Sequence, residues 1–241
     1  MTDLARRAGA ELVGTAFLVT AVVGSGIAAQ RLSPDDVGLQ LLENSLVTGA
    51  ALVALILALQ PVSASFNPVV TLVERALGRI DTVATGALVA AQVVGGLLGV
   101  VLANLMFDLD AVSFSTHERT GAGIWLGEVV ATIGLVLVVF GCLRSGRPDT
   151  VAFAVGGYIT AAYFFTSSTS FANPAIDVGR MFSDTFAGIA PASVPAFVVV
   201  QLIGAAVAIG VIRVLYPDIA PEDAAEIMLP QGTRPEAQAT T

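Results

Sequence analysis

The sequence has few charged side chains and no lysine. Charged residues make up 12% of its 241 positions, about half the share of a soluble domain, and all eleven basic residues are arginine. Hydrophobic residues make up 55%, and the mean hydropathy is +0.83. The net charge of −8 argues against a nucleic-acid partner. The composition therefore predicts a protein that crosses a lipid bilayer several times.

Cysteine and histidine each occur once. Cys142 has no second cysteine for an internal disulfide, and its apolar surroundings favour a small packed side chain over a reactive thiol. His117 lies in a polar loop beside Glu118 and Arg119, where the sequence offers no further ligands for a metal ion. We assign neither residue a role, and we predict no metal site.

Six apolar runs are long enough to cross a bilayer, since about 20 helical residues span a hydrocarbon core about 30 Å thick. The first run follows two arginines and so looks like a signal peptide. It is nevertheless long enough to span, and it contains Glu11, which has a counterpart in the fourth run, so we interpret it as a retained helix. The predicted spans are 8–29, 40–60, 82–106, 122–143, 149–167 and 192–215.

Two Asn-Pro motifs interrupt this series, one between the second and third spans and one between the fifth and sixth. Asparagine caps free backbone N–H groups and proline fits the first helical position, so each pair predicts a helix start. The helical pattern then lasts about ten residues, to about Gly78 and Phe182, which is half the bilayer thickness. Non-helical backbone at membrane depth is tolerated only inside protein or beside a water-filled cavity, so two half-helices indicate a pore or a binding site. The motif residues are Asn67, Pro68, Val69, Asn173, Pro174 and Ala175.

The order span, span, half-helix, span occurs twice, and Glu11 in the first span matches Glu128 in the fourth. Each repeat has an odd number of spans, so the second enters the membrane from the opposite side. We therefore predict an all-α membrane protein in which six transmembrane helices and two re-entrant half-helices form an inverted 3+3 repeat. The repeats cover about 8–106 and 122–215 of a single domain at 1–216.

Arginine placement predicts the orientation. With the N-terminus inside, eight of the eleven arginines lie in cytoplasmic segments. We therefore expect a multi-pass protein of the plasma membrane with both termini in the cytoplasm. Residues 217–241 are rich in proline, alanine and acidic residues, and lack a sustained apolar period, which predicts a disordered cytoplasmic tail.

Asn67 and Asn173 are the strongest site candidates. If the side-chain oxygen of each caps its half-helix, its amide NH2 points into the lumen as a donor. The two helix amino ends, each equivalent to about +0.5 charge, then converge at the midplane and oppose any cation, including a hydrated proton. This arrangement favours the passage of neutral solutes such as water or polyols.

The acids Glu11 and Glu128 within the spans have two interpretations. A carboxylate at membrane depth is costly and by default functional, so proton coupling is one hypothesis. The symmetric placement of the pair favours another, in which each accepts N–H groups from the loop that leads into a half-helix. We interpret Gln92 and Gln201, in the third and sixth spans, in the same structural way.

With these motifs in place, residues 8–215 resemble the aquaporin and glycerol-facilitator family, the major intrinsic proteins. The resemblance rests on the paired Asn-Pro-Ala-type motifs, the Glu-x-x-x-Thr of the first and fourth spans, and the glutamine of the third and sixth. It implies a homotetramer with one pore per protomer in the lipid bilayer. It also implies passive conduction of water or small uncharged solutes, with no enzymatic activity and no cofactor.

The sequence departs from the family pattern at the pore. Val69 replaces alanine in the first motif, a change compatible with a pore. The filter arginine of the family directly follows the second motif, where this sequence has Ile176. Arg180, one helical turn later on the same face, either supplies a displaced cationic ring or has left the filter. Small residues at two other filter positions predict a wider constriction that favours larger neutral solutes. Counted back from the motifs, the remaining filter positions are Val47, Ala161 and Ser170.

The pattern is similar to a bacterial subgroup associated with arsenic resistance, which implies the neutral hydroxide of trivalent arsenic as a further solute. A passive channel is the leading hypothesis. The alternative is a proton-coupled secondary transporter, because inverted repeats with broken helices are also typical of transporters. A third possibility is a structural membrane protein with a closed pore.

Overall fold

The computed structural model describes residues 2–144 and 146–216, and the regular elements within these ranges are all helical. The expected tail at 217–241 lies outside the described residues. The described chain contains six long helices and two short ones between them, which confirms the predicted order. The helices are α1 (Asp3–Leu32), α2 (Val37–Leu59), α3 (Pro68–Ala76), α4 (Thr82–Met106), α5 (Ala122–Arg144), α6 (Val151–Phe165), α7 (Pro174–Arg180) and α8 (Val194–Leu215).

The helix contacts follow the twofold repeat. Helix α1 packs along α4, and α5 packs along α8 in the same way. Helices α2 and α6, which hold equivalent places in the two repeats, pack against each other. The half-helix of each repeat also packs on the last long helix of the other repeat, α3 on α8 and α7 on α4. The repeats therefore interlock around the two half-helices.

Five helices, α1, α2, α4, α5 and α8, are long and apolar enough to cross a membrane by length and composition. Helix α6 is shorter than the predicted span at 149–167. Its 15 residues rise about 22 Å, although a 3-10 turn at Pro148–Thr150 precedes it directly. Helix α6 ends early because the chain turns back into the protein: Thr166 is extended, and Thr169 (φ 63°) and Ser170 (φ 53°) are left-handed.

The half-helices form for the reason that the sequence predicts. The side-chain oxygen of Asn67 accepts from the backbone N–H of Val69 at 2.9 Å, and that of Asn173 accepts from Ala175 at 3.0 Å. A proline follows each asparagine at the first helical position. The two helices have 9 and 7 residues and rise only about 13 and 10 Å, so neither can span a bilayer.

Glycine brings α4 against α1. A Cβ atom added at Gly95 or Gly99 would overlap the backbone carbonyl oxygens of Leu12 or Ala16 in α1. Close backbone approach of this kind stabilises helix pairs in lipid, where the hydrophobic effect does not drive helices together. The tight α1–α4 pair fixes one side of the bundle that surrounds the half-helices.

Candidate pore and selectivity residues

The two half-helices meet amino end to amino end through their asparagines. The amide nitrogen of Asn67 donates to the backbone carbonyl of Ala172 at 2.8 Å, and that of Asn173 donates to the carbonyl of Phe66 at 2.8 Å. Both asparagines line a cavity inside the bundle, and each is 4% exposed. We expected the whole amide NH2 to face the lumen, but one of its two hydrogens is used in the cross-link and one remains.

The two residues whose carbonyl groups accept these hydrogen bonds have a left-handed backbone conformation. Phe66 (φ 46°) and Ala172 (φ 45°), which directly precede the two asparagines, both adopt this conformation although neither is glycine. For residues with a side chain the left-handed region costs about 1–3 kcal/mol and persists only where surrounding contacts hold it. The equal φ angles at equivalent positions show that each repeat carries the same strained turn.

The contacts that hold the first turn come from Glu11. Its carboxylate accepts the backbone N–H of Ser65 at 2.9 Å and that of Phe66 at 2.7 Å. It also accepts from the hydroxyl of Ser63 at 2.5 Å and from the amide of Gln92 at 2.8 Å. Four donors thus surround a carboxylate that is fully buried.

Glu128 makes the equivalent contacts in the second repeat. It accepts from the backbone N–H groups of Phe171 at 2.9 Å and Ala172 at 2.8 Å, and from the amide of Gln201 at 2.7 Å. A proton carrier must give up donors in order to take up a proton, so these contacts favour the structural interpretation of both acids over proton coupling.

The glutamines extend both networks to the half-helices. Gln92 also donates to the hydroxyl of Thr71 in α3 at 2.9 Å, and Gln201 donates to the carboxylate of Asp177 in α7 at 3.3 Å. Thr71 and Asp177 each lie four residues after the motif asparagine. Sequence reasoning did not identify these two residues, although their equal spacing from the motifs was a usable signal.

Most residues that line the cavity are apolar, and the polar ones include both motif asparagines and the loops that precede them. The cavity encloses about 90 Å³, room for roughly six water molecules or more at about 10–15 Å³ each. Such a lining lets a solute form hydrogen bonds with the polar groups while its carbon atoms contact apolar residues. The apolar lining residues include Leu18, Val22, Leu52, Ile56, Val70, Leu135, Val139, Val155, Ile159 and Ile176.

Two of the predicted filter residues do not line the cavity. Val47 is 45% exposed, Ala161 is also exposed, and neither lines the cavity. Thr48 and Tyr163, on the same two helices, line it instead, with their hydroxyl oxygens 3.1 Å apart. Counting back from the motifs fails because one residue changes the direction of a helical side chain by about 100°. On these two helices the cavity is therefore lined by a threonine and a tyrosine, not by the two small apolar residues.

Arg180 lies at the cavity. Its guanidinium carbon is 3.5 Å from the centroid of the Phe171 ring, and its Nε donates to the backbone carbonyl of Ala187. Arg119 lies over the same ring at 5.0 Å, but it does not line the cavity. Ser170 and Ile176, the other predicted filter residues, do line it. Of the two alternatives for Arg180, the structure has the side chain reaching the lumen.

Glu74 in α3 is a lining residue that sequence reasoning missed. It is 6% exposed, and its Oε1 accepts from the hydroxyl of Ser65 at 3.3 Å. An acidic residue within a half-helix, at the same spacing from its motif as Arg180 from the other, was the available signal.

A bundle of apolar helices around a cavity, with two half-helices meeting inside it, is the construction of a membrane channel. A family model described as Major intrinsic protein matches residues 1–149. Aquaglyceroporin AqpS of Rhizobium meliloti is 49% identical over 212 residues, which cover 88% of this chain and 90% of that protein. The chain therefore belongs to the major intrinsic protein family, and it is a multi-pass channel protein and not an enzyme.

More distant relatives agree with this assignment. Aquaporin A of Dictyostelium discoideum is 33% identical over 178 residues, which cover 68% of this chain and 63% of that protein. The X-ray structure of the aquaglyceroporin from Plasmodium falciparum superposes with a TM-score of 0.70 over 89% of this chain and 98% of that one. Its sequence identity of 18% limits that likeness to the fold.

Proposed function

We propose that this channel conducts water and small uncharged solutes with several hydroxyl groups, and that it excludes ions and protons. The crossed asparagine pair inside the cavity is the observation that carries the proposal. Each asparagine keeps one amide hydrogen for a passing oxygen atom while the other fixes the opposite loop. A solute that accepts hydrogen bonds is thus held at the point where the half-helices meet.

The helix ends at this point supply the discrimination against cations. Helices α3 and α7 direct their amino ends at each other, and each end is equivalent to about +0.5 charge. In an apolar cavity this field opposes a cation far more strongly than it would in water. A neutral solute does not meet this barrier.

The outer constriction, which we define as Thr48, Tyr163, Phe171 and Arg180, favours hydroxyl-bearing solutes. The hydroxyl groups of Thr48 and Tyr163 and the guanidinium of Arg180 can bind several oxygen atoms of one solute, while the apolar lining contacts its carbon atoms. Glycerol fits this description. The neutral hydroxide of trivalent arsenic, with a similar size and hydroxyl display, is the second solute that we propose.

We further propose that the channel is a homotetramer of the plasma membrane with both termini in the cytoplasm. The count of arginines supports the orientation. Many large apolar side chains of the long helices are exposed in the single chain, as a surface facing lipid or further copies requires. Cross-linking of the purified protein tests the tetramer. Protease treatment of intact cells tests whether the termini are in the cytoplasm.

Stopped-flow measurement on vesicles containing the purified protein tests the function. We expect water and glycerol to cross at rates linear in their gradients, and we expect a proton gradient to have no influence. Flux of neither solute above that of protein-free vesicles would refute the channel proposal. Saturable uptake driven by a proton gradient would instead support a coupled transporter that uses Glu11 or Glu128.

A further inference from the structure

Glu74 and Arg180 occupy equivalent positions in the two repeats. Glu74 follows Asn67 by seven residues, and Arg180 follows Asn173 by seven. Each side chain folds back along its half-helix and contacts the residue two positions before its asparagine. Glu74 contacts Ser65 through a hydrogen bond, and Arg180 contacts Phe171 through its guanidinium. The cavity therefore carries an acidic residue in one half and a basic residue at the equivalent position in the other.

The Glu74 carboxyl group has one unused oxygen. Its Oε1 accepts from the Ser65 hydroxyl, whereas its Oε2 is buried and has no hydrogen-bond partner among the described residues. Glu11, Arg79 and Arg7 are the charged groups that act on this carboxyl group. The Arg79 guanidinium lies 4.8 Å from the centroid of the Phe140 ring, and its Nε is not bonded to Oε2, since it too is buried without a hydrogen-bond partner.

A buried carboxyl oxygen without a hydrogen-bond partner is unfavourable, and the cavity that Glu74 lines can supply a partner for Oε2. Either water or the hydroxyl of a solute can supply it. A solute with two neighbouring hydroxyl groups has an advantage over water, because one hydroxyl can donate to Oε2 while the other donates to the oxygen of Ser65. Leu143 and Val151, which also line the cavity, offer apolar contact for its carbon atoms.

We propose that Glu74 and Ser65 form a hydroxyl-binding subsite in the α3 half of the pore, occupied by neutral solutes that carry two or more hydroxyl groups. The proposal deepens the proposed function, on which it rests, since it identifies a second selectivity element beyond the outer constriction. In the proposed orientation, the subsite lies on the cytoplasmic side. A permeating polyol would thus exchange contacts with Arg180 for contacts with Glu74 as it passes the asparagine pair.

Glycerol and water permeabilities of vesicles containing Glu74→Leu, Glu74→Gln and wild-type protein test the subsite. Leucine fills a similar volume without a polar atom, and replacing an incompletely bonded buried acid by an apolar residue is compatible with folding. Glutamine retains one acceptor and can still bond to Ser65. We expect the glycerol-to-water permeability ratio to fall about tenfold in Glu74→Leu and less in Glu74→Gln, with water flux retained.

Glu43→Leu is the matched control. Glu43 likewise accepts from a serine hydroxyl, that of Ser33 at 2.9 Å, and has a buried Oε2 without a hydrogen-bond partner, but it does not line the cavity. Its variant should keep the wild-type ratio. Ser65→Ala, which removes the second half of the subsite and leaves Glu74 in place, should lower the ratio in the same direction as Glu74→Gln.

The outcomes separate the subsite from the channel function. Wild-type vesicles that pass neither water nor glycerol would refute both proposals. Wild-type flux of both solutes, with an unchanged ratio in Glu74→Gln and Ser65→Ala, would overturn the subsite alone. A higher ratio in Glu74→Leu would also overturn it, because Glu74 would then be a barrier to polyols. If Glu74→Leu loses water flux as well, the glycerol-to-water ratios of Glu74→Gln and Ser65→Ala determine whether the subsite exists.

Discussion

Asn67 and Asn173 each secure the loop that leads to the other, because the amide of each donates to the carbonyl that precedes its partner. Each asparagine therefore has three contacts to make: a cap on its own half-helix, a link to the opposite repeat, and a donor to the lumen. An asparagine side chain has one acceptor oxygen and two donor hydrogens, which matches these three requirements. Neither aspartate nor leucine can meet all of them.

Asn173→Asp should increase proton leak and reduce stability. A carboxylate can cap α7, but it has no hydrogen for the carbonyl of Phe66, and its charge offsets the positive helix ends. We expect a loss of about 1–3 kcal/mol in unfolding free energy and faster collapse of a proton gradient across vesicles. Asn104→Asp is the control, since buried Asn104 also donates to backbone carbonyls but does not line the cavity. An equal proton leak in both variants would contradict the proposed charge barrier.

Arg180→Ala should change solute selectivity. The variant removes a guanidinium that lies against the Phe171 ring beside the cavity, so we expect a lower ratio of glycerol to water flux and weaker exclusion of small cations. Loss of the cation–π contact should cost about 1–2 kcal/mol of stability. Arg31→Ala is a suitable comparison, because Arg31 lies over the Phe107 ring at 5.2 Å but not at the cavity. Unchanged water, glycerol and arsenite fluxes would remove Arg180 from the filter.

The sequence predicts the order of elements well because the evidence for it is local. Long apolar runs and two Asn-Pro pairs require no knowledge of how helices face each other, and the structure has the half-helices starting at Pro68 and Pro174. Filter residues depend on the rotation of each helix about its axis. Val47 and Ala161 do not line the cavity for this reason, whereas Thr48 and Tyr163 on the same helices do.

The missed role of Glu74 has a different cause. An acidic residue near the end of a short helix is ordinarily interpreted as solvated, and only its spacing from the motif shows that it is equivalent to Arg180 in the other repeat. The fold then buries it, because the contacts of α3 with α4 and α8 enclose the half-helix. The environment of an ionisable group in a membrane protein therefore depends on tertiary contacts that a single sequence does not show.

Gly99→Ala should destabilise the α1–α4 pair. The added methyl group would overlap the carbonyl oxygen of Ala16, so the helices must separate, at a cost of about 1–3 kcal/mol. Gly86→Ala in the same helix has open space around the added Cβ and should be neutral or slightly stabilising, by up to about 1 kcal/mol. Thermal unfolding of the two purified variants in detergent measures the difference. Equal midpoints would show that close backbone packing at Gly99 contributes nothing.

His117 should make the loop between α4 and α5 sensitive to acid. Partial burial lowers the pKa of His117 below its usual value of 6.5, and the guanidinium groups of Arg119 and Arg180 lower it further, whereas Asp184 acts in the opposite direction. The folded protein therefore resists protonation of a side chain that the unfolded chain protonates readily. As the pH decreases below about 6.5, the unfolded state binds more protons than the folded state. The free energy of unfolding therefore decreases as the pH decreases, until the pH is below the pKa of His117 in the folded protein.

His117→Gln should remove this part of the pH dependence. His117 is the only histidine in the sequence, so no other imidazole contributes between pH 7.5 and 5.5. The backbone bond from the N–H of Ala190 to the carbonyl of residue 117 does not depend on the side chain and should persist in the variant. We expect the midpoint of thermal unfolding to fall more in wild-type protein than in His117→Gln over that range. An equal fall in both proteins would assign the acid sensitivity to the carboxylates instead.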